Sequence, residues 1–146
     1  MDRPAPPRVS GTWIDLPTHG DGRGALTVAE EAVGLPFAPV RSYWLHDLTG
    51  APRGGHAHRR LSQLMVALAG SLTVELEDAA GPREVTLDDP RRGLLVAPMT
   101  WRVMRDFAEA TVLLVLASRP YEPEDYIHDR AAFRTQLALF AAARGA

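Results

Sequence analysis

The sequence predicts an all-β fold, a β-sandwich or small barrel with a short C-terminal helix, and three observations predict it. Short apolar runs recur about every eight to twelve residues, separated by Gly, Pro, Asp and Ser. One of them alternates strictly: Leu72, Val74 and Leu76 interleave with Thr73, Glu75 and Glu77, the period of a strand with one face buried. Helical spacing is confined to the end of the chain, where Phe133, Leu137 and Phe140 follow Asp129, a residue suited to cap a helix. Strands alternating with helices, the pattern of a parallel sheet, do not occur.

In chain order, residues 1–10 read as a Pro-rich arm and residues 11–146 as a single domain without internal repeat. Residues 11–16 form a first strand, and THGDGR at 18–23 reads as a Gly- and Asp-rich loop. Residues 24–30 alternate as a strand, and 33–39 are a Pro-punctuated connection. In the strand at 40–46, Arg41, Tyr43 and Leu45 face one way and Ser42, Trp44 and His46 the other. A histidine-bearing strand and an apolar strand at 61–69 follow. Gly70-Ser71 is a hairpin turn signal joining 61–69 to the strand at 72–77. Further strands occupy 83–87, 93–97, 101–105 and 110–118, with a turn at 78–82 and a break at Asp88-Asp89-Pro90. The run TVLLVLA within 110–118 suits burial on both faces.

Composition excludes several classes. With 46% hydrophobic and 23% charged residues the chain is an ordinary globular one. A formal net charge of −2 gives no electrostatic reason for a nucleic-acid or anionic-membrane partner. Cysteine is absent, which removes disulfides and thiolate chemistry. The first residues, MDRPAPPRVSG, hold no apolar run of a signal peptide, and no segment approaches the about 18 apolar residues of a membrane helix. A soluble, cytoplasmic protein is the expectation.

The chemical centre is His56 and His58. Separated by one residue in a strand, they present two imidazoles to one surface, with Ala57 turned to the other side. Arg53, Gly54 and Gly55 immediately precede them.

Spacing then becomes specific. Gly50, five residues, His56, one residue, His58, four residues, Gln63, six residues, Gly70 resembles the first motif of the cupin family, and Ala97-Pro98-Met99-Thr100-Trp101-Arg102 resembles the second. The resemblance implies a cupin jelly roll. Metal-binding cupins take two His and a Glu from the first motif and a His from the second. Here Gln63 and Arg102 stand at two of those positions, a weaker neutral ligand and a permanent cation that cannot coordinate metal. Two ligands fall short of the three or four that hold a transition metal, so no metal and no cofactor are expected.

Gly22 to Thr27, Pro52 to His58, Leu114 to Ser118, Tyr121 and Asp125-Tyr126-Ile127 occur in the order seen in the nucleotide-sugar 3,4-ketoisomerases, cupins acting on dTDP-4-keto-6-deoxyhexoses. The similarity spans about Asp15 to Phe133, and its most specific part is RGGHAH. It implies a homodimer with exchanged N-terminal strands, a metal-free site inside the barrel, and movement of the keto group from C4 to C3 in deoxyamino-sugar biosynthesis.

The residues suit that chemistry in their own right. Shifting a ketone to the adjacent carbon needs a base at C3 and an acid at C4, and one imidazole can do both near neutral pH. His56 is expected to carry the proton, with His58 as relay. Tyr43 and Arg41, on one strand face, can polarise a carbonyl or steady an enediolate. Arg53, beside two glycines that let the backbone approach closely, suits ordering the site or gripping phosphate. Gln63 suits a sugar hydroxyl or an imidazole tautomer. Trp101, as a core residue or a base-stacking wall, and Arg102 complete the substrate-binding set. His19, His46 and His128 are expected at the surface, and Arg59-Arg60 and Arg91-Arg92 in solvated turns. Two other readings remain open: a metal-dependent cupin enzyme, and a non-catalytic nucleotide-sugar-binding cupin. A 3,5-epimerase is a close enzymatic cousin.

Overall fold

The computed structural model describes residues 10–145, so the arm expected at 1–10 lies outside the described residues except for Ser10. Ser10 is buried, with its hydroxyl 2.6 Å from that of Thr100 and accepting from the Ala97 amide. The strands, in chain order, are β1 (Trp13–Asp15), β2 (Thr18–Asp21), β3 (Gly24–Thr27), β4 (Arg41–Leu45), β5 (Arg53–His58), β6 (Gln63–Ala69), β7 (Leu72–Asp78), β8 (Gly81–Leu87), β9 (Arg92–Val96), β10 (Trp101–Arg105), β11 (Val112–Ala117) and β12 (Tyr126–Ile127). One helix, α1 (Arg130–Ala143), follows, and short 3-10 turns cover Glu31–Val33 and Pro123–Asp125. The fold is the expected all-β sandwich with a C-terminal helix.

Two five-stranded antiparallel sheets face each other, ordered β1-β9-β6-β11-β4 and β12-β5-β10-β7-β8. Between them lies the main core, built from Met65 and Ala67 of β6, Leu72, Val74 and Leu76 of β7, Leu94 and Val96 of β9, Met104 of β10, and Leu113 and Val115 of β11. The alternation read in β7 thus points its leucines and valine inward. The central strands of the first sheet are covered on both faces: Leu64, Val66, Leu95 and Leu116 turn outward onto Ile14, Leu16 and Leu35. Two-sided burial explains why β6 and β11 are nearly continuous apolar runs. Gly93 belongs to this tight layer, since a Cβ there would fall 2.5 Å from Cγ of Leu64.

The outer face of the second sheet carries α1. Asp129 caps it by accepting from the Ala132 amide at 2.8 Å, and Phe133 is fully buried against Ala57, Met99, Trp101 and Ile127. Glu77 of β7 receives Arg130 at 2.9 Å and Arg134 at 2.9 and 3.0 Å. The hydrogen bond from Arg134 is the largest influence holding the Glu77 carboxyl down to about 2.

Three features differ from the sequence expectations. Gly70-Ser71 does not close a hairpin. β6 pairs with β9 and β11, whereas β7 pairs with β10 and β8, so the turn carries the chain from one sheet to the other. A turn signal reports reversal of direction; where both flanking strands own a strong apolar face, those faces can oppose each other across the core instead of lying side by side. Thr111 holds this corner, its hydroxyl accepting from the Ser71 amide at 3.2 Å and donating to the Ala108 carbonyl at 2.7 Å.

Residues 18–23 are not a loop but β2 and the turn of a ribbon with β3, Thr18 opposite Thr27 and Asp21 opposite Gly24. The polar composition of β2 gives no alternation because neither face of the ribbon is buried in this chain. Finally, β12 was unforeseen; two residues are too few to show a period.

The sheets divide their interior into layers. Cross-strand partners share a face, so Arg41, Ala117 and Gln63 form one inward layer, Tyr43, Val115 and Met65 the next, and Leu45, Leu113 and Ala67 the last. One end of the interior is apolar and the other polar. The polar end is where the histidines arrive.

Candidate active site

β5 delivers the histidines by way of an irregularity. Arg102 pairs with His56, but Val103 pairs with Gly54, leaving Gly55 as the extra residue of a bulge. Gly54 and Gly55 have φ of 88° and 74°, and a Cβ on Gly54 would lie 2.9 Å from the Arg102 carbonyl oxygen. Two glycines are therefore what the bulge requires. It resets the alternation: Arg53 pairs with Met104, a core-facing residue, and so stands on the site side at the exposed end of β5.

Past the bulge, His56 and His58 point inward, rings 5.0 Å apart and nearly perpendicular at 89°. His58 is 1% exposed, while His56 is only partly buried and so the more accessible of the two. Burial first, then the charge of Arg102, holds His56 down to about 4. The same two causes, with smaller contributions from His56 and Arg41, hold His58 down to about 2. Both rings are neutral at neutral pH, the form that can accept a proton.

Beneath them lies Arg102, completely buried. Burial lowers its guanidinium to about 10, which leaves it charged. Its Nε donates to the Thr100 carbonyl at 3.2 Å and Nη1 to Oε1 of Gln63 at 2.6 Å, while Nη2 meets no hydrogen-bond partner among the described residues. Gln63, also buried, donates from Nε2 to the Tyr43 hydroxyl at 3.0 Å. Burial pushes the Tyr43 hydroxyl up, against the charge of Arg102 and the hydrogen bond from Gln63. Arg41 lies over the Tyr43 ring, 5.2 Å from its centre.

The expected residues His56, His58, Tyr43, Arg41, Gln63 and Arg102 are thus drawn from four strands into one cluster, with Arg53 at its rim. Trp101 is not among them. Alternation puts it on the reverse face of β10 from Arg102, where its ring packs 5.6 Å from Phe133 beneath α1. The stacking-wall reading of Trp101 is corrected accordingly: it is core.

Sequence reasoning missed the other wall. The Tyr126 ring lies 4.3 Å from that of His58 and 5.0 Å from that of His56. His128, read as an ordinary surface residue, stacks on Tyr126 at 5.3 Å and 11° and stands 6.2 Å from His56. Tyr126 and His128 are spaced by two, as the central histidines are, and that was the available signal. Asp125 is 3% exposed and accepts from the amides of Arg60 at 2.9 Å and Leu61 at 3.2 Å. Its Oδ2 also lies 3.3 Å from Nδ1 of His58, within ion-pair distance but off the line of a hydrogen bond. Nor is Arg59 merely solvated, since it donates to the carbonyls of Glu124 and Tyr126 and straps this segment to the end of β5.

These residues do not fit a bound cation. His56 and His58 supply two ligands, but the Gln63 carbonyl oxygen is already taken by Arg102, whose buried charge would repel a metal. Among the described residues no three His, Cys, Asp or Glu side chains converge elsewhere to make a metal site.

Residues 10–138 match the family described as FdtA: WxcM-like, C-terminal. The TDP-4-oxo-6-deoxy-alpha-D-glucose-3,4-oxoisomerase of Aneurinibacillus thermoaerophilus is 43% identical over 119 residues, covering 81% of this chain and 86% of that one. The sugar 3,4-ketoisomerase QdtA from Thermoanaerobacterium thermosaccharolyticum, solved in complex with TDP, superposes with a TM-score of 0.84 at 34% identity, covering 87% of this chain and 93% of that one. A 3,4-ketoisomerase from Helicobacter canadensis gives 0.83 at 33% identity, over 87% and 96%. Matched along nearly all of its described length in both sequence and fold, this chain belongs to the FdtA family of WxcM-like, C-terminal proteins.

Proposed function

We propose that this chain is a sugar 3,4-ketoisomerase that converts a dTDP-4-keto-6-deoxyhexose into its 3-keto isomer without a metal. The observation that carries the reading is a pair of neutral imidazoles set beside a buried cation and a protonated phenol. His56, the more accessible ring, takes the proton from C3, and the electrons of the C–H bond move into the C3–C4 bond as the C4 carbonyl oxygen becomes an enediolate oxygen. Arg102 and Arg41 steady that charge, and Tyr43 donates a hydrogen bond to it. The proton on His56 is then delivered to C4, while the proton of the C3 hydroxyl passes to the C4 oxygen, with His58 as relay. Every proton removed is returned, so the reaction needs no oxidant or cofactor. Arg53, exposed at the rim, is the side chain we assign to the diphosphate. So charged a substrate does not cross membranes unaided, which favours a cytoplasmic enzyme.

A homodimer is the assembly we propose. The β2–β3 ribbon pairs with neither sheet, and a two-stranded ribbon is marginal alone in water. Leu26 on it is 60% exposed, and Trp44 of β4 is 59% exposed. A second copy that exchanges N-terminal strands would cover both.

Three outcomes follow. Replacing His56 or His58 by Asn keeps approximate size and removes the titrating group. At least one of the two variants should lose about 10²–10⁴-fold in kcat, roughly 2.7–5.4 kcal/mol, on dTDP-4-keto-6-deoxyglucose with product identified by NMR. Near-normal turnover by both folded variants would end the two-histidine mechanism and leave the non-catalytic binding reading standing.

Chelation separates the metal-dependent alternative: enzyme treated with EDTA should keep its activity, and loss restored by one added divalent cation would refute the metal-free site. Sedimentation at micromolar concentration should give a mass near twice 15.9 kDa, whereas a monomer would rule out the exchanged dimer.

A further inference from the structure

An amide has two chemically distinct ends, and the surroundings of Gln63 allow only one orientation. Arg102 comes within 2.6 Å of one end, and a guanidinium has donors but no acceptor. That end must be the carbonyl oxygen. The amide nitrogen consequently faces the Tyr43 hydroxyl, 3.0 Å away, and donates to it. A phenol oxygen that accepts from Gln63 must send its own hydrogen elsewhere. Besides Gln63, the groups that act on that hydroxyl are Arg102, Tyr126 and Arg41, the last lying over the Tyr43 ring at 5.2 Å, so the hydrogen is left to point into the polar end of the interior.

We infer that Gln63 and Arg102 act as a direction-setting pair, which fixes Tyr43 as a hydrogen-bond donor towards the keto oxygen of the substrate. Gln63 is on this account a positioning residue, and the inference rests on the ketoisomerase reading for what Tyr43 meets. Both anchors are rigid: Gln63 is 1% and Arg102 0% exposed, and Arg102 is held a second time by the Thr100 carbonyl. Burial raises the phenol, so it keeps the hydrogen that it is to donate.

The chain Arg102–Gln63–Tyr43 is sensitive to one atom. A glutamate at position 63 has nearly the same shape but two acceptors. It would pair with Arg102 through one oxygen and draw the Tyr43 hydrogen to the other, turning the phenol's lone pairs towards the pocket. Volume is conserved, the hydrogen-bond direction is reversed, and a negative charge is set against Arg102.

The test compares Gln63→Glu, Tyr43→Phe and the double variant. Gln63→Glu should lower kcat by about 10²-fold, the effect of losing one preorganised donor, with KM changed by no more than about twofold. Tyr43→Phe should cost a similar factor, and the double variant should lose much less than the product of the two single losses, because both changes remove the same interaction and only the effect of the new charge beside Arg102 adds to it. The ring ¹³Cζ resonance of Tyr43, assigned by its loss in Tyr43→Phe, should shift in substrate-free Gln63→Glu as the phenol changes from acceptor to donor.

Wild-type kcat in Gln63→Glu, losses that multiply in the double variant, or an unmoved Tyr43 resonance would each overturn the inference. Should Gln63→Glu not fold, Gln63→Met releases the hydroxyl to rotate, and the same loss of kcat is expected, again absent in the Tyr43→Phe background. Failure of the wild type to isomerise the keto-sugar would refute the ketoisomerase reading instead, while the substrate-free resonance still decides the direction of the hydrogen bond.

Discussion

The structure of the site depends on a charge placed where charges are costly. Arg102 is wholly buried, and among the described residues no carboxylate pairs with it. Its hydrogen bonds go to a backbone carbonyl and an amide, both neutral, and one nitrogen is left without a partner. Removing an unpaired ion from water costs several kcal/mol, more than a structural role would justify when an apolar residue could fill the space. The cost is offset by the rest of the sandwich, whose apolar layers of Met65, Val115, Leu113 and Leu76 need nothing from this end of the interior. What the charge supplies is local: it lowers both imidazoles, disfavours a metal and holds Gln63 in one orientation, and in the proposed mechanism it also steadies the oxygen that gains negative charge.

Position follows from strand geometry. β10 turns Arg102 inward and Trp101 outward, so one strand serves the site on one face and the seat of α1 on the other. β5 does likewise with His56 and His58 against Ala57. The bulge at Gly54-Gly55 then keeps Arg53 on the site side, which a regular strand would have turned away. Behind the histidines, Asp125 and Arg59 tie the end of β5 to the segment that presents Tyr126 and His128. The geometry of the candidate site is set on strands and on short tethers to them, which hold side chains more closely than free loops would.

Much of this was legible in the sequence, because a period of two is all that a half-buried strand needs. The inward set Arg41, Tyr43, Leu45, the two histidines and the β7 alternation could be read directly, and the two cupin-like motifs added Gln63 and Arg102. What was not legible depends on contacts distant in sequence. That β6 and β7 part into different sheets at Gly70-Ser71 depends on partners distant in the chain, β11 for β6 and β10 for β7. β2 shows no pattern because neither face of its ribbon with β3 is covered within the chain. Trp101 offered two plausible roles, and only the face of β10 on which Arg102 lies decides between them. Tyr126 and His128 sit on and just beyond a two-residue strand, so their spacing carried a signal without a context.

The central claim is that burial and Arg102 together keep the histidine pair unprotonated and ready to accept a proton. Titration of the imidazole ring nitrogens by ¹⁵N NMR in the free protein measures this most directly. The account predicts that His56 remains neutral until the pH falls towards about 4, and that His58 gains its proton later still, towards about 2. Protonation of either ring at the ordinary histidine value near 6.5 would contradict it.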